Sequence, residues 1–261
     1  MRIILKLKVN NSSLISRKVE LVPSINPDFK NKHVNTQMYT SWLKENGQKY
    51  HNEYSTYNHS GIIGGTLKND FRRIEFKSGF AEIKINSLNE EFITDLLFGI
   101  SKNPKLDVGN FYFDIIDVIP VPFECSVGQM KFFTVSPIVL KGKEKLPNGH
   151  FKQYLFSDDS KITSEMMTHT LISRIQRLNQ SINTENLNVQ FDSLYKKAKS
   201  RFYAYEKDVD GQKVKVPIFA SNCPVIISGD PRAIEAAYYL GIGHSTGAGF
   251  GCIEIWSQNK K

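Results

Sequence analysis

The chain has 261 residues, with 34 Lys and Arg against 26 Asp and Glu, a net charge of +8 and 40% hydrophobic residues. That length supports one large or two modest domains with a real core, and the basic balance favours a polyanionic partner, nucleic acid being the commonest. Three dispersed cysteines (Cys125, Cys223, Cys252) without a Cys-x-x-Cys pair argue against structural zinc and for a reducing compartment, no apolar run approaches the roughly 20 residues that span a bilayer, and the alternating start is not a signal peptide. The expectation is a soluble, cytoplasmic protein that needs no membrane.

Ile3, Leu5, Leu7 and Val9 alternate with Arg2, Lys6 and Lys8, which predicts a half-buried strand with those three basic residues on its other face. Residues 33–45 predict a short helix carrying Met38, Tyr39, Trp42 and Leu43, closed by Gly47. Residues 55–63 read as extended, and Gly64-Gly65 as a turn. Ala81, Ile83 and Ile85 form a second alternating strand, and Leu88, Phe92, Leu96 and Ile100 recur at helical spacing. Residues 111–121 are apolar on both faces, as in a buried strand. This first half reads β-α-β-β-α-β.

The order then recurs. Residues 131–140 predict a strand with Pro137 near its end, and residues 141–149, rich in Lys, Gly and Pro, a solvated loop. Met167, Leu171, Ile175 and Leu178 mark a helix. Residues 202–205 and 214–218 flank Asp210-Gly211, a hairpin turn, and residues 225–227 extend further. Asp230 as N-cap and Pro231 in the first turn open a helix that Gly241 closes, and residues 250–256 form the last strand. The whole is an α+β chain of two tandem ferredoxin-like (RRM-like) units, with a first domain over 1–124 and a second over 125–261.

Five glycines, Gly241, Gly243, Gly247, Gly249 and Gly251, stand in eleven residues between the last helix and the last strand. Gly adopts positive φ freely and lets other atoms approach its backbone, and successive free N–H groups would make an anion site. The plainer reading is a tight helix-to-strand connection. The loop is not a dinucleotide fingerprint, which follows a strand and opens a helix, and it lacks the Gly-Lys-Ser/Thr ending of a P-loop.

Gly-Ile-Gly, five residues, then Gly-Phe-Gly resembles the C-terminal glycine-rich loop of the repeat-associated (RAMP) superfamily of CRISPR proteins. The segments Phe133-Thr134-Val135-Ser136-Pro137-Ile138, Tyr57-Asn58-His59-Ser60-Gly61-Ile62-Ile63-Gly64-Gly65, Leu88-Asn89-Glu90-Glu91-Phe92-Ile93 and Gly229-Asp230-Pro231 resemble, in order, parts of its sixth Cas family. The resemblance implies an endoribonuclease that cuts precursor CRISPR RNA within each repeat. It also implies no metal and no cofactor, and a 2′,3′-cyclic phosphate and 5′-hydroxyl as products. A CRISPR effector complex and a second copy of the chain are further partners left open. A non-catalytic RAMP-type RNA-binding subunit and a basic protein-interaction module are the competing readings.

Cleavage by the RNA's own 2′-hydroxyl needs a base, an acid and a cation, roles that suit His, Lys or Arg. The family's histidine follows the first helix, a place taken here by His51 in Tyr50-His51-Asn52-Glu53. A second alignment, through Trp42-Leu43-Lys44-Glu45, puts Lys44 there instead. Tyr39 is a candidate for positioning or proton donation, and its helical spacing fits core packing equally. His33, at the start of the helix, and His59, in an extended segment where packing is the plainer role, are the remaining candidates. For RNA binding the candidates are the five loop glycines, His244, and Arg201, Lys213 and Lys215 beside the hairpin turn, with Lys141, Lys143 and Lys145 the densest basic cluster. The alternative for each cation is a solubilising surface charge, for His244 an exposed loop residue, and for Tyr203 and Tyr205 strand packing rather than base stacking.

Overall fold

A computed structural model of the chain describes residues 1–10, 56–67, 74–108, 111–146, 151–209 and 212–256. In chain order the first half holds β1 (Arg2–Val9), β2 (Tyr57–His59), the short pair β3 (Thr66–Leu67) and β4 (Ile74–Glu75), β5 (Phe80–Ser87), α1 (Glu90–Lys102), β6 (Lys105–Val108) and β7 (Phe111–Val121). The second holds β8 (Gln129–Thr134), β9 (Leu140–Lys145), β10 (Phe151–Tyr154), α2 (Ser160–Leu178), β11 (Asn188–Phe191), β12 (Lys199–Val209), β13 (Gln212–Asn222), β14 (Val225–Ser228), α3 (Pro231–Leu240) and β15 (Ile253–Ile255). The fold is mixed α and β. The predicted helix over residues 33–45 lies outside the described residues.

Both main sheets are antiparallel and share one plan. The first runs β2-β5-β1-β7-β6 and the second β11-β14-β8-β15. In each, the opening strand of the half sits between the third and fourth strands of the repeat, and β6 extends the first sheet beyond β7. Three ribbons stand apart from the sheets, β3 with β4, β9 with β10 and β12 with β13.

The alternation in β1 does what it predicts: Ile3, Leu5 and Leu7 are buried opposite Ile85, Ile83 and Ala81 of β5. Helix α1 starts where Asn89 accepts from the Phe92 N–H at 3.2 Å, with Glu90 and Glu91 complementing the positive end of the helix dipole. It buries Phe92, Ile93, Leu96 and Ile100 on the sheet, and Tyr57 of β2 stacks on Phe92 at 4.6 Å. In the second half Asp159 and Asp230 cap α2 and α3, which bury Met167, Leu171, Ile175, Ala233, Ile234 and Ala237 against β8, β11 and β14. Each sheet has its own buried apolar cluster, and Leu88 of the first half also packs against the second.

Several expectations need correction. Strand β7 has the expected bounds but one buried face: Phe113 and Ile115 point inward, whereas Tyr112 and Ile116 are exposed. The strand expected over 131–140 is divided. β8 stops at Thr134, because the N–H groups of Val135 and Ser136 both turn to the Cys252 carbonyl. The loop expected over 141–149 is largely strand, β9 paired with β10. Strands β12 and β13 are far longer than the expected four or five residues, and pair continuously from Lys199↔Asn222 to Val209↔Gln212. The last strand is shorter, β15 alone. Arg2, expected on a solvated face, is wholly buried.

Candidate nucleic-acid interface

The glycine loop leaves α3 at Gly241, runs through a 3-10 turn at Thr246–Ala248 and enters β15. Its glycines serve close approach. A Cβ on Gly241 would lie 2.0 Å from Asn58 Nδ2, one on Gly243 2.6 Å from the Val139 carbonyl, and one on Gly251 1.9 Å from the Ile242 carbonyl. All three have φ between +68° and +82°, where Gly alone is unstrained.

Much of the expected N–H cradle is therefore turned inward. Gly241 donates to Ala237 O, Ile242 to Gly251 O, His244 to Val139 O, Gly249 to Thr246 O and Gly251 to Pro137 O, all between 2.8 and 3.0 Å. Gly241, Gly243, Gly247, Gly249 and Gly251 are buried. The donors without a partner among the described residues are the N–H groups of Gly243, Ser245, Thr246 and Gly247. The loop meets solvent at His244, Ser245 and Ala248, which are half-buried. Ser245 has φ 59°, a left-handed conformation that costs a non-Gly residue about 1–2 kcal/mol. Lys141 Nζ donates to its Oγ at 2.9 Å, so a cation stands beside the strained turn.

His244 is not the exposed loop residue of the plainer reading. Its Nδ1 accepts from the Lys141 N–H at 3.2 Å. Burial, with Lys141 and Arg174 beside it, pushes its pKa down to about 4, so it is neutral at physiological pH. Arg174 of α2 sits beneath the loop, wholly inside. It donates to the carbonyls of Leu240 and Gly241 at 2.7 Å each and to Thr246 Oγ1 at 3.0 Å, which ties the start of the glycine run to its middle. Burial lowers its pKa to about 10, leaving it charged. Its sequence signal was slight: a cation one residue before Ile175 on a helix whose core stripe includes Leu171 and Ile175.

On the other side the loop touches the first sheet. Strand β2 packs on the 3-10 turn, and α3 on β2 and β5. Arg2 crosses this seam. Its Nε donates to Asn86 Oδ1, its Nη2 to the Ile253 carbonyl at 2.7 Å, its Nη1 lies 3.0 Å from Glu254, and its guanidinium lies 3.7 Å over the Tyr238 ring. Lys84 also pairs with Glu254, and Asn86 Nδ2 donates to Asn58. Burial pushes the Glu254 carboxyl up, but Arg2, Lys84 and the Tyr238 hydroxyl outweigh it and hold it below the usual range. The Cys252 thiol at the seam and Cys223 are buried and pushed up, Cys223 to about 11, while Cys125 is half-exposed.

His59 is fully buried in this seam. Its Nδ1 accepts from the Gly61 N–H at 3.2 Å, which puts the proton on Nε2. Nε2 makes no hydrogen bond of normal geometry, although the Gly247 backbone lies close enough to offset part of the burial that pushes the pKa down to about 4. Without access to a substrate it is excluded as the acid or base. His51, Tyr39, Lys44 and His33 lie outside the described residues. Arg201 is exposed on β12 opposite Ala220, remote in sequence from the loop. Lys213 and Lys215 stand across the ribbon from Asp208 and Glu206, so each has an acidic residue as cross-strand neighbour.

No helix among the described residues is long and apolar enough to cross a membrane. A curated relative from Methanocaldococcus jannaschii, named CRISPR-associated endoribonuclease Cas6 1, is 24% identical over 191 residues, 72% of this chain and 69% of its own. Among solved structures, one titled as a Cas6-related gene from Pyrococcus furiosus aligns with TM-score 0.75 at 18% identity, covering 99% of both chains. Another, titled CRISPR associated protein Cas6, gives 0.70 at 22% identity over 98% of this chain and 99% of that one. An RAMP protein described as binding different RNA substrates gives 0.74 at 19%, over 98% and 100%. At such identities these structures speak for the fold. The family model described as CRISPR associated protein Cas6, C-terminal, matches residues 121–255, the stretch holding the second sheet and the whole glycine loop. With more than half of its length under that match, the chain belongs to the Cas6 family of CRISPR-associated proteins.

Proposed function

We propose that the chain is an endoribonuclease that cuts precursor CRISPR RNA within its repeats, without a metal. Two ferredoxin-like domains, 1–124 and 125–261, hold the RNA across the seam between them. The observation that carries this reading is the packing of β2 on the 3-10 turn of the glycine loop. It brings β2, the strand that follows His51 in the sequence, against the loop whose solvent edge offers Lys141 and Ser245.

In this reading a base takes the 2′-hydroxyl proton, the 2′-oxygen attacks phosphorus, and the bond to the 5′-oxygen breaks as an acid protonates the leaving group. A 2′,3′-cyclic phosphate and a 5′-hydroxyl result. His51 acts as acid or base, Lys44 stabilises the charge on phosphorus, and Tyr39 positions the scissile group or donates a proton. Arg201, Lys213 and Lys215 contact phosphates beside the cut, and the glycine loop contributes at its solvent edge, through Ser245. The work is done in the cytoplasm, and the product passes to a CRISPR effector complex.

The test is repeat RNA incubated with the purified chain in EDTA, beside the same RNA with 2′-deoxyribose at the cut position. Cleavage of the first and not the second is expected. Tight binding with both RNAs intact would replace this reading with that of a non-catalytic RNA-binding subunit. His51→Ala should slow cleavage by about 10²-fold or more, and an unchanged rate would pass the role to Lys44 or His33.

A further inference from the structure

We propose that the β9–β10 ribbon is a track for unpaired RNA leading away from the glycine loop, with Lys141, Lys143 and Lys145 taking phosphates and Phe151 stacking on a base at the far end. This rests on the RNA-processing reading above. Lys141 and Lys145 pair with Gln153 and Phe151, alternate residues of β10 that share one face, and the register of β9 is irregular between them. The contacts fix which face. Lys141 reaches Ser245 of the glycine loop, and Gln153, its partner across the ribbon, holds the β13 backbone at Pro217 and Phe219. Lys145 lies opposite Phe151, its Nζ 5.8 Å from the ring centroid.

The opposite face carries Gly142 against Tyr154, and Glu144 paired with Lys152 at 3.5 Å. The acid of the ribbon is thereby engaged by a lysine of the other strand. Lys143 and Lys145 are exposed and make no ion pair among the described residues. Phe151 is 46% exposed at the outer end, a large π-face in a basic strip. A row of cations ending in an open aromatic ring, anchored at the strained turn of Ser245, fits a phosphate backbone with splayed bases. Stacking of this kind tolerates any sequence, so the track would grip the strand beside the cut without selecting it.

The experiment uses the full chain and repeat RNA with 2′-deoxyribose at the cut position, and follows fluorescence anisotropy across a salt series. K143Q/K145Q should flatten the log–log salt slope by about 1.4, two phosphates at roughly 0.7 each. Phe151→Ala should weaken binding by roughly 5- to 150-fold at fixed salt. The charge-matched K102Q/K105Q, on α1 and β6, should keep the original slope. An unchanged slope in K143Q/K145Q, or an equal change in K102Q/K105Q, overturns the track and leaves the RNA-processing reading standing. Failure of the unaltered chain to bind or cut repeat RNA removes both.

Discussion

At Gly251 and Gly79 the same backbone conformation has different consequences. Both have φ near +70°, yet a Cβ on Gly251 would overlap the Ile242 carbonyl, whereas one on Gly79 meets nothing within 4 Å. Gly251→Ala should therefore cost about 3 kcal/mol or more, and Gly79→Ala about 1 kcal/mol, read as shifts in the urea unfolding midpoint. Comparable losses would show that conformation rather than space decides. His59 and His244 carry the pH dependence. Each is neutral when folded, with pKa near 4 against an ordinary 6.5. The unfolded chain binds their protons first, so stability falls as pH drops from 6.5 toward 4. Each histidine contributes about 1.4 kcal/mol per pH unit within that window. The unfolding midpoint should be lower at pH 5 than at pH 7.5, and His59→Gln should flatten that dependence. The sequence offered packing as a role for His59 but only an exposed loop position as the alternative for His244, because a polar side chain's burial is decided by what arrives from the rest of the chain.

At the scale of elements, legibility followed the source of each element's stability. Strands β1, β5 and β14 and helices α1, α2 and α3 carry their own periodicity and caps, and their positions were readable in Ile3-Leu5-Leu7, Phe92-Leu96-Ile100 and Asp230-Pro231. The β9–β10 ribbon has no such mark. Lys, Gly and Glu alternate in it, and it is a strand because it pairs with β10 and is bridged through Val139 to His244 and through Ile138 to Ser221. The glycine run was visible as a helix-to-strand loop, while its inward hydrogen bonds were not. Arg174 is what joins α2 to that loop. Arg174→Met would leave the Leu240 and Gly241 carbonyls buried without their donor, and about 2–3 kcal/mol of stability should be lost. Calorimetry of Arg174→Met beside Arg174→Lys, which keeps one donor group, should show a partial recovery. Equal melting temperatures for both variants and the unaltered chain would deny the guanidinium that role.

For the molecule as a whole, the two halves are joined by charge as well as by apolar contact. Arg2 looked like any solvated strand residue, because the partner that buries it, Glu254, is 252 positions away. Glu254→Ala should cost about 3 kcal/mol, since it leaves the Arg2 guanidinium buried without its counter-ion. The carboxyl's depressed pKa sets a further sign: its contribution is complete above the ordinary carboxylate range and disappears as pH falls through the lowered value. Denaturant curves for Glu254→Ala and the unaltered chain should converge in acid, and a gap that persists there would assign the loss to packing. The thiols offer a use of this geometry. Cys223 and Cys252 are sealed in and resist deprotonation, whereas Cys125 stands half-open in the short span between β7 and β8. A maleimide dye would therefore mark that one joint without any engineered substitution, turning the chain into its own optical gauge of whether the halves shift when repeat RNA is added.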